Sequence, residues 1–477
     1  MKTKRNNILL NIDWIIILLY VALVFIGWIS IYSAVYDDTH ENIFSLSQRY
    51  GKQIVWISTA LIIAVIILLI DSRFFSYTSY FIYAFGIFLL IAVLAFGVEI
   101  NNSKSWFEIG DFRIQPVEFT KIAVCLAFAQ YLSSKNFSFN NTKKVIGLLI
   151  LFLIPTLLIL IQNDTGSAIL FFAFIFVFYR EGLNKIIFYM SFIAILLFVL
   201  SLVFEIKTLF LIIYVITILS FLYRINNKKY KSNFSILSIT SIIYAVITIF
   251  LYYLLNLTEH ITILIILNIL AISITILILY IQKRNKLLLI TFLLIVGIGA
   301  FVYSVDYIFS NILQSHQRER INTLLGKSND PFGIDYNLNQ SKIAIGSGGF
   351  YGKGFLRGTQ TKYNFVPEQS TDFIFCTIGE EYGFLGTTFV LALFFMLIFR
   401  ILKKAERQRF AFSRIYGYGI ASILFFHVAI NIGMTIGLAP VIGIPLPFFS
   451  YGGSSLWAFT IMLFIFIKLD ADRLNNF

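Results

Sequence analysis

Charged residues are scarce in this chain. They make up 13% of its 477 residues, whereas hydrophobic residues make up 59%, and the mean hydropathy is +0.86. A soluble domain carries about 25% charged residues, because its surface has to be solvated. The composition therefore excludes a soluble globular protein and indicates a chain that crosses a lipid bilayer many times.

Cysteine is nearly absent as well, with two residues in the whole chain. Cys125 falls inside an apolar segment and Cys376 at the end of a polar one. Such placement offers neither a disulfide framework nor a cysteine-based metal site. The first apolar run is not followed by a cleavage site with small residues, so we interpret it as a retained helix and not as a signal peptide.

Apolar runs long enough to span a bilayer recur along the chain, each of about 20 residues. We predict an all-α polytopic membrane protein with about fourteen transmembrane helices. Their approximate bounds are 10–34, 53–70, 79–97, 116–132, 145–162, 166–180, 186–204, 208–223, 234–256, 260–281, 287–309, 377–399, 415–438 and 454–469.

The formal charge of +13 is explained by where the cations lie. Lys and Arg cluster in every second connection, in the stretches 135–144, 180–185, 224–231, 283–286 and 400–414. The positive-inside rule places these connections and both termini in the cytoplasm. The basic balance is thus a topology signal, and we expect no nucleic-acid partner.

Two polar segments interrupt the helices on the predicted outer side, residues 98–115 and the long loop 310–376. The longer one contains GSGGFYGKG and the cations Lys342, Lys353 and Arg357. Its glycines resemble a nucleotide-binding fingerprint, but they follow no strand of a βαβ unit and lie outside the cell. We interpret the segment as a loop whose free backbone N–H groups form an anion nest, with the three cations as substrate ligands.

Charged residues inside or beside apolar segments usually face the interior of a helix bundle. Glu118 and Lys121 are three positions apart on one helix face and can pair. The pair is either an ion pair that satisfies itself or the lining of a cavity for a charged substrate. Asp164, at an outer corner between helices, is either a helix N-cap or a further ligand in that cavity. We expect His427 to hydrogen-bond to a neighbouring helix.

The stretch GLAPVIGIPLPFFSYGGSS, residues 437–455, lies between two apolar helices and contains several prolines and glycines. Backbone that is not helical is tolerated at membrane depth only where it is buried in protein or lines a cavity. The sequence therefore predicts a shaped re-entrant or boundary loop here.

Several separate stretches together resemble the SEDS family, membrane peptidoglycan glycosyltransferases that include RodA and FtsW. They are FRIQPVEFTKIAV, QNDTGSAIL, NDPFGIDYNLNQSKIAIGSGGFYGKG, GTQTKYNFVPEQSTDFIFCTIGEEYGFLG and GLAPVIGIPLPFFSYGGSS. The sequence IAIGSGG resembles RodA more closely than FtsW. Two variants are mild departures, since QPVEF and QNDTG replace a small residue and a proline of the family pattern.

The resemblance also implies a division of the chain. Family members have ten transmembrane helices, so we expect a four-helix insertion of unknown role at 205–286. It separates an N-terminal part of the family core, 1–204, from a C-terminal part, 287–477. The latter includes the catalytic loop 310–376.

The activity implied by the resemblance is polymerisation of lipid II, a disaccharide-pentapeptide on undecaprenyl pyrophosphate, for cell-wall elongation and cell shape. Asp330 matches the essential acidic residue, the expected general base. Glu118, Lys121 and Asp164 match positions that line the adjoining cavity. Protein cations or a divalent cation, Mg²⁺ or Mn²⁺, would stabilise the pyrophosphate leaving group.

The implied location is the outer face of the bacterial cytoplasmic membrane. The implied partners are a class B penicillin-binding protein, which is a transpeptidase, and other membrane proteins of the elongation complex.

Two other functions remain open. A lipid II flippase, or another transporter of lipid-linked substrates, would also need intramembrane charges and broken helices. An alternating-access site lies at the midplane, however, whereas the polar residues here concentrate on the outer side. A structural scaffold for cell-wall enzymes would not need carboxylates in these places.

Overall fold

The computed structural model describes most of the chain, and each of the predicted apolar segments contains a helix in it. The described residues are 11–36, 43–100, 103–110, 112–135, 137–225, 231–254, 261–311, 313, 315–325, 327, 334–363 and 365–473. Within these residues, ten helices are long and apolar enough to cross a membrane. The chain is thus an integral, all-α polytopic membrane protein, and the count of fourteen spans stays a prediction.

The chain divides into two compact units, residues 1–188 with 326–477 and residues 189–325. The first unit contains the helices α1 (Trp14–Ala34), α2 (Arg49–Leu69), α3 (Ser72–Tyr77), α4 (Ser79–Phe96), α5 (Pro116–Leu132), α6 (Thr142–Ile161), α7 (Thr165–Leu170) and α8 (Phe174–Arg180). A 3₁₀ turn, Phe171–Ala173, joins the last two. Pro116 suits the first turn of α5, where its missing N–H has no partner to lose.

The second unit begins within α9 (Lys185–Val203) and continues through α10 (Ile206–Ile225), α11 (Lys231–Leu254), α12 (Ile261–Lys283), α13 (Lys286–Asn311) and α14 (Ser315–Leu324). Its core is aliphatic and aromatic, with Phe221, Ile276 and Val302 fully buried. This agrees with the near absence of charge inside the apolar helices α10 to α12.

The chain then returns to the first unit with α15 (Ile334–Ser347), α16 (Thr359–Lys362), α17 (Ile374–Glu406), α18 (Ala411–Thr435) and α19 (Gly453–Ala471). Most side chains of α5, α18 and α19 are buried. These three helices form the centre of the unit, and α19 packs against both α2 and α5.

The polar segment 98–115, predicted to interrupt the helices, contains a small sheet. Its strands β1 (Val98–Ile100), β2 (Ser103–Ile109) and β3 (Phe112–Ile114) form an antiparallel sheet in the order β1–β2–β3. β2 contains the adjacent aromatic residues Trp106 and Phe107, a residue type that favours strands. The described part of the segment 310–376 contains the helices α14, α15 and α16.

The four-helix insertion at 205–286 stays a prediction, although the structure has fewer helices within those bounds. Residues 205–286 contain three helices, α10 to α12. An insertion that preserves the orientation of the following helices needs an even number of spans. It would therefore have to include α9 as well and run from residue 185 to about residue 283.

Ion pairs join helix ends that lie on the predicted cytoplasmic side. Asp13 caps α1 and binds Arg400 at 3.0 Å and also Lys404, both on α17. Burial alone would raise the pKa of Asp13, but the hydrogen bonds from Lys404 and Arg400 outweigh it and lower the pKa. This contact therefore stabilises the fold at neutral pH and is lost as the pH falls through the lowered pKa. Three further pairs are Arg180–Glu406, Arg414–Glu181 and Arg407–Asp470.

The wider bounds and the predicted bounds lead to different outcomes for two deletions. Removing residues 185–285 takes out α9 to α12 and should keep the orientation of everything downstream, although α13 loses its packing partners and the protein becomes less stable. Removing 205–286 takes out three helices and should invert the downstream part. An impermeant thiol reagent added to intact cells should label Tyr351→Cys in the first deletion only. Equal external labelling in both would contradict this topology.

Candidate functional site

The glycine-rich stretch of residues 348–354 packs backbone to backbone against the start of α17. Lys353 N donates to Glu380 O at 3.0 Å, and Gly354 N donates to Glu381 O at 2.9 Å. In the other direction, Phe384 N donates to Gly349 O at 2.9 Å. These N–H groups are therefore used within the protein, and the predicted anion nest of free N–H groups is wrong.

Two glycines are required by this close approach. Gly383 interrupts α17 with φ = +62°, and a Cβ there would come within 2.4 Å of Gly352 N. Gly352 itself has φ = +82°, and its Cβ would lie 2.1 Å from Glu381 O. A side chain at either position would clash with backbone atoms and adopt a conformation that L residues disfavour. The glycines serve packing between two segments, not nucleotide binding.

Glu380 anchors the loop of residues 353–361. Its side chain is fully buried, with Lys353 Nζ at 2.7 Å from Oε1. Oε1 also accepts from Gln360 N, and Oε2 accepts from Thr361 N, both at 2.9 Å. A buried carboxylate is tolerated because each oxygen has donors and a cation neutralises the charge. Glu380 thereby holds residues 353–361 in one conformation.

The neighbouring Glu381 connects the same loop to α1. Its Oε1 accepts from Leu356 N at 2.9 Å and from the hydroxyl of Ser33. These two contacts join three separate parts of the chain at one buried carboxylate. In the sequence, the two glutamates of GEEYG stand out only as part of a family motif. Their role as organising residues was therefore missed. Two adjacent acidic residues at the start of an apolar helix were the available signal.

The three predicted loop cations have different environments. Lys353 Nζ donates hydrogen bonds to Glu380 and Thr359. Lys342 and Arg357 have exposed side chains and form no ion pair with the described residues. Lys342 lies beside the stretch 437–452, because a Cβ at Gly437 would come within 2.3 Å of its Cε. Two of the three cations are therefore available to a ligand.

Glu118 and Lys121 pair in the core, as their spacing predicts. Lys121 Nζ lies 2.9 Å from each carboxylate oxygen and hydrogen-bonds to Oε1, and both side chains are almost inaccessible to solvent. Lys121 Nζ also lies 2.9 Å from Nε2 of His427 on α18. The expected hydrogen bond from His427 to a neighbouring helix is therefore present.

Asp164 is the N-cap of α7, which is one of the two roles that the sequence suggests for it. Its Oδ1 accepts from Ser167 N at 3.0 Å. Its Oδ2 accepts from Ser167 Oγ and from Nε2 of Gln115, the latter at 3.0 Å. Since Gln115 directly precedes α5, Asp164 also lies beside the helix that carries Glu118. The two interpretations of Asp164 are compatible.

Asp330 lies outside the described residues, and so does the side chain of Asp335. α15 begins shortly after Asp330, and its Ser341 Oγ donates to Thr435 O at the end of α18. Among the residues that the structure does describe, no three His, Cys, Asp or Glu side chains cluster as metal ligands. The described part of the chain therefore does not supply a metal site by itself.

An apolar cavity of about 490 Å³ lies between α4, α5 and α19, next to the small sheet. Its lining includes Phe85, Phe119 and Ile465 from these helices and Phe107 from β2. Pro116 also lines it, two residues before Glu118. An apolar chain bound here would therefore lie on α5, the helix that carries the buried ion pair.

The chain is similar to known proteins along most of its length. A family model described as cell cycle protein, covering FtsW, RodA and SpoVE, matches residues 13–212 and 205–475. The peptidoglycan glycosyltransferase RodA of Treponema pallidum is 31% identical over 465 residues, 97% of this chain and 98% of that protein. The peptidoglycan glycosyltransferase MrdB of Escherichia coli K12 is 29% identical over 446 residues, 94% and 90% of the two chains.

Solved structures share the fold. One, described as "Structural coordination of polymerization and crosslinking by a peptidoglycan synthase complex", matches with a TM-score of 0.63 at 22% identity, over 98% of this chain and 99% of the other. The rod shape determining protein RodA of Thermus thermophilus matches with a TM-score of 0.56 at 21% identity, over 98% of both chains.

The anchoring role of Glu380 is testable. Glu380→Gln should loosen the loop, because both carboxylate oxygens accept from backbone N–H groups and an amide nitrogen in either place would face a donor. We expect hydrogen exchange at the amides of Gln360 and Thr361 to accelerate by about tenfold or more. Glu368→Gln is the matched control, since Glu368 is exposed and 3.5 Å from Arg49. Unchanged exchange in Glu380→Gln would show that the loop does not depend on this carboxylate.

Proposed function

Because the chain belongs to the FtsW, RodA and SpoVE family of cell cycle proteins, we propose that it is a RodA-type peptidoglycan glycosyltransferase. The observation that carries the proposal is the alignment with a RodA over nearly the full length of both proteins. The substrate is lipid II, which the enzyme polymerises into glycan strands for cell-wall elongation and cell shape. The site is the outer loop 310–376 together with the charged residues of α5 and the Asp164 corner.

The proposed chemistry assigns the proton transfer to Asp330. The 4-hydroxyl of the acceptor sugar attacks the anomeric carbon of the donor, and the carboxylate of Asp330 takes the hydroxyl proton. The bond from the anomeric carbon to the pyrophosphate oxygen breaks, and the pyrophosphate leaves with the electron pair. Lys342 and Arg357, which are exposed and unpaired among the described residues, can stabilise that developing charge.

The undecaprenyl tail needs an apolar environment next to this site. The cavity between α4, α5 and α19 offers one, because its lining is almost entirely aliphatic and aromatic. α5 then connects the two ends of the substrate, with the apolar cavity on one side and Glu118 and Lys121 in the protein core. This supports a lipid-linked substrate over a soluble sugar donor.

The proposed location is the bacterial cytoplasmic membrane, with both termini in the cytoplasm and the loop 310–376 outside. Alternate clustering of Lys and Arg supports this orientation. A divalent cation, Mg²⁺ or Mn²⁺, remains part of the proposal as a further counter-charge for pyrophosphate. The described residues do not form a metal site, so no step of the reaction is assigned to it.

The general base is tested by Asp330→Asn, which keeps the size of the side chain but cannot take the proton. We expect glycan formation from lipid II by the purified variant to fall by at least about 10². Asp335→Asn should have a smaller effect. Glu118→Gln and Lys121→Met should lower both activity and thermal stability, because each leaves a buried charge without its partner.

Two results would change these assignments. Polymerisation by Asp330→Asn at a near wild-type rate would mean that the loop binds substrate while another carboxylate, Asp164 or Glu118, takes the proton. If the wild-type protein formed no glycan but moved lipid II between the leaflets of a vesicle, the flippase alternative would replace the proposal.

A class B penicillin-binding protein is the proposed partner, together with other membrane proteins of the elongation complex. The structural match to a peptidoglycan synthase complex supports a pairing of polymerisation with crosslinking. Addition of the partner should raise the rate of glycan formation, and a partner with its transpeptidase serine replaced should do so equally. Equal polymerisation with and without the partner would refute activation.

A further inference from the structure

Two buried polar side chains on α18 have no role in the chemistry above. His427 and Asn431 lie one helical turn apart, and both are fully buried. They bond to consecutive carbonyls of the non-helical stretch 437–452, for which the sequence predicts a re-entrant or boundary loop. His427 Nδ1 lies 3.2 Å from Pro445 O, and Asn431 Nδ2 donates to Ile444 O at 2.7 Å.

The partners of His427 determine its protonation state. Pro445 O can only accept, so Nδ1 carries the hydrogen. The ammonium group of Lys121 can only donate, so Nε2 presents its lone pair to it. The neutral Nδ1–H tautomer satisfies both contacts, whereas an imidazolium would place an N–H against a cation. His427 therefore links the Glu118–Lys121 pair on α5 to the backbone of the re-entrant stretch.

The polar connection continues to the outer segment 368–373, which leads into α17. Asn431 Nδ2 donates to Asp372 O at 2.8 Å as well as to Ile444 O. Two more bonds follow in the same direction, from Ser450 Oγ to Thr371 O at 2.6 Å and from Tyr451 N to Ser370 O at 2.9 Å. Hydrogen bonds, together with the backbone between their acceptors, thus connect the ion pair in the core to the segment 368–373.

The re-entrant stretch also contacts the residues assigned to substrate. Ile442 packs on the Asp164 corner, where a Cβ at Gly166 would come within 2.5 Å of its side chain. Gly437 lies against Lys342. A shift of this stretch would therefore move both groups relative to each other, and a misplacement of about 1 Å can reduce a rate by about 10².

We propose that His427 is a positioning residue, which acts by holding the re-entrant stretch in register with the Glu118–Lys121 pair. This inference rests on the proposed function for its activity readout. It adds a residue that neither proton transfer nor charge stabilisation requires. The role depends on one donor and one acceptor at the two ends of the imidazole, not on its charge.

The first test compares His427→Gln with His427→Leu. The glutamine amide offers one donor and one acceptor about as far apart as the two imidazole nitrogens, whereas leucine has a similar volume and neither. In glycan formation from lipid II, His427→Leu should lower kcat about tenfold and change KM by less than about twofold. His427→Gln should recover most of kcat. Equal activity of the two variants, or a loss confined to KM, would overturn the proposal.

The second test asks whether His427 acts through Lys121. In a Lys121→Met background, His427→Leu should cause little additional loss, because the link is already broken. Losses that multiply independently would contradict the series of bonds. Leu424→Ala is the packing control, since Leu424 is buried on the same helix without a polar partner. It should lower the melting temperature and leave kcat near that of the wild type.

A readout without activity separates this inference from the proposed function. Hydrogen exchange at the amides of Ile442, Gly443, Ile444 and Leu446 should accelerate in His427→Leu and stay slow in His427→Gln. If the wild type forms no glycan while this exchange pattern holds, the glycosyltransferase proposal fails and the structural link remains. If exchange is the same in both variants, the link itself is wrong.

Discussion

Backbone polar groups inside a membrane protein need partners from the protein itself, and the stretch 437–452 is where this constraint acts most strongly. It leaves the helical conformation between two central helices, so its N–H and C=O groups lose the partners that a helix provides. His427, Asn431 and Ser450 supply replacements from the side chains. The polar residues that make this stretch possible also join the core to the outer loop.

Buried charged groups follow a similar constraint, since several of them have an oppositely charged partner within the protein. Glu118 and Lys121 neutralise each other in the core, and Lys353 neutralises Glu380 at the outer end. At the predicted cytoplasmic ends, Asp13 and Asp470 have arginine partners. Lys342 and Arg357 differ from these residues, because they are exposed and form no ion pair with the described part of the chain.

The two compact units differ in their core residues and in whether they contain predicted site residues. The unit of residues 189–325 has an aliphatic and aromatic core. The other unit contains every predicted site residue that the structure describes. The helix break at Gly383 and the non-helical residues 437–452 thus lie in the same unit as the predicted site residues.

Local pattern was sufficient for several features. Apolar length located the helices, the spacing of Glu118 and Lys121 placed them on one face, and an aspartate before a small helix indicated the cap at Asp164. These features depend on residues close in sequence. Other features depended on the tertiary structure. They are the partners of Glu380 and His427, the hydrogen bonds between the glycine-rich backbone and α17, and the sheet at 98–114. Each joins residues far apart in the chain, and sequence periodicity carries no information about which distant donor meets which acceptor.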